Sequence, residues 1–189
     1  MKKITMSLLA AGVAAFFSLS ACAQKPAAEK GKVVAKKTLV AYFSATGTTQ
    51  RVAKMIAEAT HGELYPIEPV QAYTSADLDW TNSSSRSCKE HANSAMRPAI
   101  VKAKQTLAGY DVIYVGFPIW WNEAPRIINT FIESYGLKGK TVVPFATSGG
   151  SGISNSVKVL KKAYSDIRWA EGKLLNNPSK AEISQWVAK

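Results

Sequence analysis

Stretches with a strand pattern and stretches with a helical pattern alternate along the chain and predict an α/β fold. Short, mostly apolar runs, which are typical of buried parallel strands, predict five strands at residues 38–43, 62–67, 111–117, 140–146 and 167–170. Apolar residues at helical spacing predict five helices at residues 49–59, 98–107, 125–134, 154–164 and 179–188. Repeated strand–helix units indicate a doubly wound, five-stranded parallel sheet with helices on both faces.

Two features interrupt this alternation. The connection at residues 68–97, which contains Trp80, is longer than an ordinary loop. It forms either a lid over a binding site or a surface insertion, and its sequence favours neither. Pro144 lies inside the fourth predicted strand, where it cannot donate a hydrogen bond to a neighbouring strand. We therefore expect a bulge or a strand end at Pro144.

Residues 1–21 have the pattern of a leader peptide. Lys2 and Lys3 precede an apolar run at residues 8–20 that is too short to span a bilayer. The run ends in Leu-Ser-Ala-Cys, which resembles the lipobox of bacterial lipoproteins and implies cleavage before Cys22 and lipidation of its thiol. The alternative is an ordinary signal peptide. We expect residues 22–36 to be a tether and residues 37–189 to be a domain anchored in the bacterial cell envelope, on the periplasmic side or at the surface.

Composition adds a strong positive charge to this picture. The chain has 24 Lys and Arg against 13 Asp and Glu, a net charge of +11, and loss of two lysines with the leader leaves about +9. This surplus favours anionic partners, either an acidic redox protein or the membrane surface. No run of five like charges and no zinc-finger or RNA-binding motif occurs in the sequence, so nucleic acid is not an expected partner. We expect a monomer.

The cysteine and histidine residues do not point to a catalytic or metal site. Cys88 is the only cysteine besides Cys22, so lipidation of Cys22 leaves Cys88 a free thiol, for which a reactive role is the alternative. His61 and His91 lack companion residues at metal-ligand spacing, so no metal site is predicted. We expect both histidines to face solvent, and for His91, in the long connection, a position near the ring of a bound ligand is the alternative.

Ligands of a doubly wound sheet bind beyond the carboxyl ends of its strands, so the loops after the first, third and fourth predicted strands are the candidate site. The first loop is rich in hydroxyls and opens a helix, whose free N–H groups and positive dipole end favour an anion. It lacks the lysine of a P-loop, so its uncharged donors suit a phosphate monoester held without a metal. A plain helix cap is the alternative. The candidate residues are Ser44, Ala45, Thr46, Gly47, Thr48 and Thr49.

The other two loops supply aromatic rings and glycines. Adjacent tryptophans at a strand end offer flat apolar surface to a planar ring, although core packing is expected to account for one of them. Glycines in the last loop permit a positive φ and a close approach of backbone N–H groups to a ligand. The candidate residues are Pro118, Ile119, Trp120, Trp121 and Asn122 in one loop, and Thr147, Ser148, Gly149, Gly150 and Gly152 in the other.

In this order the three loops resemble those of flavodoxins, and the resemblance covers residues 38–189. Residues 42–49, YFSATGTT, are similar to the family's FMN phosphate loop, [ST]-x-T-G-x-T, although flavodoxins often have Asn where Thr48 stands. The resemblance implies a strand order of 2-1-3-4-5 and one non-covalently bound FMN, with Trp120, Trp121 and Asn122 against its isoalloxazine ring. The last loop lacks the acidic residue and the tyrosine of many small flavodoxins, so either Trp80 covers the second face of the ring or that face is open.

An FMN bound in this way takes one or two electrons. The resemblance and the loops leave three functions open for the chain. The chain carries electrons between redox partners at the cell envelope, which is the function we expect. Alternatively, it is an FMN-dependent oxidoreductase acting on a quinone or a similar acceptor, although it lacks the GxGxxG fingerprint of a nicotinamide site. The third function is that of a non-redox lipoprotein that binds another phosphorylated or aromatic ligand.

Overall fold

The structure is a computed structural model, and it describes residues 36–188. Strands and helices alternate along most of this part of the chain. The strands are β1 (Thr38–Tyr42), β2 (Glu63–Pro66), β3 (Val112–Pro118), β4 (Thr141–Thr147), β5 (Arg168–Trp169) and β6 (Lys173–Leu174). The helices are α1 (Thr48–Thr60), α2 (Arg86–Ala92), α3 (Arg126–Tyr135), α4 (Ser154–Ala163) and α5 (Lys180–Val187).

All strands run parallel in one sheet. Their order is β2-β1-β3-β4-β5, and β6 pairs with β4 further along the strand. In the centre of the sheet, Val40 of β1 is paired with Leu64 of β2 on one side and with Tyr114 of β3 on the other. The predicted doubly wound fold and its strand order are therefore confirmed. The short strand β6 was not predicted, because Lys173 and Leu174 do not form part of an apolar run of strand length.

Apolar side chains cover both faces of the sheet. On one face, Val52 and Ile56 of α1 and Ile183 of α5 pack into a common buried cluster. On the other face, Phe131 of α3 and Leu160 of α4 belong to a second cluster. Burial of each such side chain contributes roughly 1.5–3 kcal/mol to folding. Helices on both faces hold the sheet rigid, so its carboxyl edge is a fixed platform for the connecting loops.

The fourth strand continues through Pro144, contrary to the expected bulge or strand end. On the side away from β3, the carbonyl groups of Val142 and Ala146 each accept a backbone hydrogen bond of 2.8 Å. Pro144 lies between them, in the gap between β5 and β6. Gly172 passes this point so closely that a Cβ there would lie 2.9 Å from Pro144 Cγ. Pro144, which has no backbone N–H to donate, therefore lies opposite the break between β5 and β6.

The predicted helix at residues 98–107 is wrong. The amide of Val70 donates to the carbonyl of Ala99 at 2.9 Å, and the amide of Val101 donates to the carbonyl of Glu68 at 2.8 Å. These bonds join the start and the end of the long connection and occupy backbone groups that a helix would need. The connection contains α2 instead, which begins after Ser85.

Parts of the predicted domain organisation lie outside the described residues. These are the leader at residues 1–21, Cys22 and the tether up to residue 35. Within residues 36–188, none of the helices has the length and apolar character needed to cross a membrane.

Candidate functional site

A cavity of about 750 Å³ lies at the carboxyl edge of the sheet, where the three predicted loops meet. This is the position at which doubly wound folds bind ligands, because the connections diverge there to opposite faces of the sheet. The lining residues that the sequence predicted are Ser44, Ala45, Thr46, Thr48, Thr49, Pro118, Ile119, Trp120, Trp121, Thr147, Ser148 and Gly149. The other predicted residues, which do not line the cavity, are Gly47, Asn122, Gly150 and Gly152.

The first loop delivers an uncapped helix N-terminus to the cavity. Gly47 precedes α1 in the left-handed conformation, with a φ of 88°, and its N–H donates to Ser44 Oγ at 3.1 Å. No side chain caps α1, and its first turn contains no acidic residue. Thr48 and Thr49, the first residues of α1, both line the cavity. The positive end of the helix dipole and its free amides are therefore available to an anion.

A buried hydrogen bond joins the first loop to the third. Thr49 Oγ1 and Thr147 Oγ1 are 2.8 Å apart, and both residues are almost fully buried. One hydroxyl donates to the other, so the pair retains a single hydroxyl proton for a ligand. The contact fixes the start of α1 against the end of β4.

The second loop is a tight turn with two residues at positive φ. Trp120 and Glu123 exchange backbone hydrogen bonds of 3.0 and 2.9 Å. Between them, Trp121 has a φ of 46° and Asn122 a φ of 62°. The carbonyl of Asn122 also accepts a 3.2 Å bond from the Ser156 hydroxyl of α4. Asn122 therefore anchors the turn, although the sequence resemblance placed it against a flavin ring.

The two tryptophans have different surroundings. Trp120 is half-buried and packs edge-on against Phe43 and Tyr73, with ring centroids 5.6 and 5.5 Å away. Trp121 is 38% exposed and stacks on His91 at 4.9 Å, with the rings inclined by 13°. The expectation that one tryptophan belongs to the core is met by Trp120. His91 was expected in solvent, but it is half-buried and stacks on the Trp121 ring.

The long connection forms one wall of the cavity through Leu78, Trp80 and Ser87. Glu90 of α2, which is 2% exposed, holds this wall in place. Its carboxylate accepts hydrogen bonds from the Tyr73 hydroxyl at 2.6 Å and from Arg86 Nε at 2.7 Å. Burial, together with the nearby Glu90 carboxylate, raises the pKa of Tyr73, so Tyr73 remains a neutral donor. Trp80 lies at the mouth of the cavity and is 74% exposed.

The glycines of the third loop do not adopt the positive φ that the sequence suggested. Among the glycines of the described residues, a positive φ occurs at Gly47, Gly136 and Gly139, none of which belongs to this loop. A Cβ built on Gly149 or Gly150 would meet no atom within 4 Å. The fold itself therefore leaves room at these positions, and a ligand can approach the backbone closely.

Two asparagines that the sequence analysis missed also line the cavity. Asn176 and Asn177 follow β6, which places them beside the third loop. The Ser148 amide donates to Asn176 Oδ1 at 2.8 Å, and Arg51 Nη2 donates to Asn177 Oδ1 at 3.0 Å. They belong to an irregular segment after a two-residue strand, so the sequence held no signal for them.

The cavity lining is electrically neutral. Among residues 36–188, no Asp, Glu, Lys, Arg or His side chain lines it. The same part of the chain contains no group of acidic, histidine or cysteine side chains that would hold a metal ion. Hydroxyl, amide and indole groups therefore define the chemistry of the site.

The fold and the sequence are both similar to those of known proteins. A family model for flavodoxin matches residues 37–189. The crystal structure of a candidate flavoprotein from Bacteroides uniformis ATCC 8492 is 57% identical with a TM-score of 0.80, and the match covers 82% of this chain and all of that chain. A candidate flavoprotein from Bacteroides eggerthii DSM 20697 is 59% identical with a TM-score of 0.79, covering 81% of this chain and 96% of that chain.

A more distant structure shares the fold. The flavoprotein from Lactobacillus acidophilus NCFM, crystallised in complex with FMN, is 22% identical with a TM-score of 0.64, covering 81% of this chain and 99% of that chain. No curated protein matches the sequence. Since the family model spans the whole predicted domain and the strand order is 2-1-3-4-5, the chain belongs to the flavodoxin family.

Proposed function

We propose that this chain binds one FMN non-covalently in the cavity and carries electrons between redox partners at the bacterial cell envelope. The observation that carries the proposal is the neutral lining, in which hydroxyls and free helix amides lie at one end and indole rings at the other. Membership of the flavodoxin family and the FMN complex of the Lactobacillus flavoprotein support the choice of cofactor.

The end of the cavity at α1 fits a phosphate monoester. The hydroxyls of Ser44, Thr46 and Thr48 and the uncapped amides of the first turn are all donors or able to donate. Such a set can satisfy the phosphate oxygens without a metal ion. The Ser44 hydroxyl also accepts a hydrogen bond from the Gly47 amide. The proton of the hydroxyl itself therefore points away from the loop backbone.

The other end fits a planar, partly polar ring system. Trp121 presents an exposed face there, and stacking on an aromatic ring is worth about 0.5–1.5 kcal/mol beyond the burial of area. In the third loop, the amides of Gly150 and Ser151 already donate to Ser148 Oγ at 3.1 and 2.8 Å. The Gly149 amide has no acceptor among the described residues, so it is the donor left for the edge of the ring.

Bound FMN supplies the capacity to accept and release one or two electrons. The chain's own residues hold and shield the cofactor, and their neutrality favours a carrier over an enzyme. General acid–base catalysis needs a titratable side chain within hydrogen-bond reach of the substrate. Within residues 36–188, no carboxylate, histidine, lysine or arginine lines the cavity.

A second candidate function is that of an FMN-dependent oxidoreductase acting on quinones. Exposed apolar groups at the mouth of the cavity favour it, because Trp80 is 74% exposed and lies near the partly exposed Leu78. These side chains offer a surface on which a planar acceptor can stack. The groups that line the cavity are sufficient for electron transfer to such an acceptor, provided that water supplies the protons.

The location at the envelope rests on the amino terminus. Residues 1–21 have the features of a lipoprotein leader, and Cys22 is the proposed lipidation site. Residues 22–36 then tether the domain, and this length reaches at most about 50 Å when fully extended. The proposed partners are an acidic redox protein or a membrane quinone.

The absorbance spectrum of the full chain purified from cells tests the cofactor, and anaerobic reduction tests its role. We expect a yellow protein with flavin absorbance that bleaches on reduction and recovers on oxidation. Steady-state assays with a quinone and NAD(P)H should give no turnover above free FMN. Sustained turnover would instead establish the oxidoreductase, and a colourless protein that does not take up FMN would refute both redox functions.

A further inference from the structure

Asn176 and Asn177 lie at the cavity, and the oxygen of each side-chain amide is held, in Asn176 by the third loop and in Asn177 by helix α1. We infer that these two residues, here called the asparagine pair, donate hydrogen bonds to the phosphate end of the cofactor and that Arg51 positions them. The inference rests on the proposed FMN function. If it is correct, a segment outside the three predicted loops distinguishes a phosphorylated flavin from an unphosphorylated one.

The contact with Arg51 fixes the orientation of the Asn177 amide. A guanidinium group has donors and no acceptor, so its partner at 3.0 Å must be the oxygen Oδ1. The Nδ2 group then points away from Arg51 and has no partner among the described residues. Because Asn177 lines the cavity, this NH₂ group is available to a ligand there.

Asn176 is oriented by the same logic. The Ser148 amide can only donate, so its 2.8 Å partner is Asn176 Oδ1 and the Nδ2 group is left for other contacts. The backbone carbonyl of Asn176 accepts a 2.8 Å bond from Arg51 Nη2, the same nitrogen that reaches Asn177. Arg51 therefore bridges the pair, and both asparagines line the cavity with an Nδ2 group that has no partner among the described residues.

The pair lies at the phosphate end because its supports do. Arg51 belongs to the first turns of α1, and its amide donates to the carbonyl of Gly47 at 3.1 Å. Thr147, next to Ser148, contacts Thr49 of α1 at 2.8 Å. Both anchors of the asparagine pair thus adjoin the start of α1, where a phosphate would meet the free helix amides. A hydrogen bond to a charged acceptor is also stronger than one to a neutral acceptor.

The isosteric variant Asn177→Asp tests the donor directly. Aspartate keeps an oxygen for Arg51 but presents a carboxylate to the phosphate in place of an NH₂ group. Fluorescence titration of the full-length apoprotein should show FMN binding weakened by about tenfold or more, since a charge-assisted bond is lost and a repulsion is added. Riboflavin, which lacks the phosphate, should bind within about twofold of wild type. Asn93→Asp is the control, since it adds the same charge at an exposed site outside the cavity.

A double-mutant cycle separates positioning by Arg51 from a direct effect of its charge. Arg51→Met should weaken FMN binding in the wild-type background and have little further effect in an Asn176→Ala/Asn177→Ala background, because Arg51 acts through the asparagine pair. Additive losses would overturn the positioning role. An unchanged FMN-to-riboflavin ratio in Asn177→Asp and Asn177→Ala would overturn the inference while leaving the proposed function intact. Wild-type protein that binds neither flavin would overturn both.

Discussion

Trp121 and Asn122 form the turn beside the cavity with φ angles of 46° and 62°. Asparagine tolerates the left-handed region, whereas a bulky side chain such as tryptophan does so at a cost of about 1–3 kcal/mol. Trp121 is buried only in part, because it stacks on His91 but remains 38% exposed. The combination of a strained backbone and an exposed ring at a cavity is typical of a residue retained for ligand contact.

We expect Trp121→Asn to separate stability from binding. The free energy of unfolding should be unchanged or higher by about 1 kcal/mol, because asparagine relieves the strain. FMN binding should weaken by about tenfold, since a stacking face is lost. Chemical denaturation and fluorescence titration measure the two quantities.

Asn122→Gly is the matched control for this prediction. It changes the neighbouring residue of the same turn, which also has a positive φ but does not line the cavity. FMN affinity should therefore stay at the wild-type value. A loss of stability in Trp121→Asn without a loss of affinity would show that the ring serves the fold rather than the ligand.

At the scale of elements, a buried ion pair helps to hold the long connection, beside the packing of Tyr73 against the core. Glu90 of α2 is 2% exposed, and Arg86, one helical turn earlier, lies across the Tyr73 ring with its guanidinium carbon 3.9 Å from the ring centroid. Arg126 of α3 donates to the carbonyl of His91 at 3.0 Å and so joins the end of α2 to the main fold. These polar contacts help to hold the wall that carries Trp80.

Glu90→Gln should lower the free energy of unfolding by about 3 kcal/mol, because it leaves the Arg86 guanidinium without a countercharge in a largely buried position. The double variant Arg86→Met/Glu90→Gln should recover part of that loss, since no charge then remains unpaired. Urea denaturation measures both values. A loss below about 1 kcal/mol in the single variant would contradict a structural role for the pair.

Glu133 of α3 links two further elements and gives the fold an acid-sensitive contact. The Arg97 side chain, at 2.8 Å, and the Tyr164 hydroxyl, at 2.6 Å, lower the pKa of the Glu133 carboxyl. Burial and the bond to Glu133 raise the pKa of Tyr164 to about 12, so its hydroxyl stays protonated as the donor. A lowered carboxyl pKa means that the contact contributes its full stability above the unfolded-state pKa of about 4.3.

Stability from this contact should therefore be lost as the pH falls from about 4.3 through the lower folded-state pKa of Glu133. Glu133→Gln should be less stable than wild type near neutral pH, and the difference should shrink in this acidic window. Thermal unfolding measured across the pH range gives the comparison. Glu68→Gln, which changes an exposed carboxylate, is the control, and a difference that does not change with pH would refute the linkage.

How well the sequence predicted each element depended on where its backbone found hydrogen-bond partners. β1, β3 and β4 are apolar because both of their faces are buried, so the pattern located them within a residue or two. Residues 98–107 had helical spacing, but Ala99 found its partner in Val70, a long-range contact that no local pattern encodes. The three site loops were found because they follow those strands, whereas Asn176 follows a strand of two residues.

For the whole molecule, the dominant feature is a positive net charge, although no charged group of residues 36–188 lines the cavity. The net charge of the full chain is +11, yet the residues that line the described cavity are all neutral. Charge therefore acts on a bound cofactor and on partners at long range, where it is screened by salt. Charge near the flavin nitrogens is one way in which a protein tunes a flavin.

We expect the reduced form of bound FMN, which is negatively charged, to be stabilised by this surplus. The potential of the fully reduced couple should be less negative than in an acidic flavodoxin, and the difference should narrow as salt is added. Redox titration of both proteins at low and high ionic strength measures it. An equal or more negative potential at low salt would show that local contacts outweigh the net charge.

Binding of FMN in the cavity is tested most directly by a fluorescence titration of riboflavin 5′-phosphate with the full-length apoprotein. We expect the fluorescence to be quenched at micromolar protein with one equivalent bound, because hydroxyls and amides hold the phosphate while an indole stacks on the ring. Fluorescence that stays unquenched at these concentrations would show that the cavity does not bind FMN in this way.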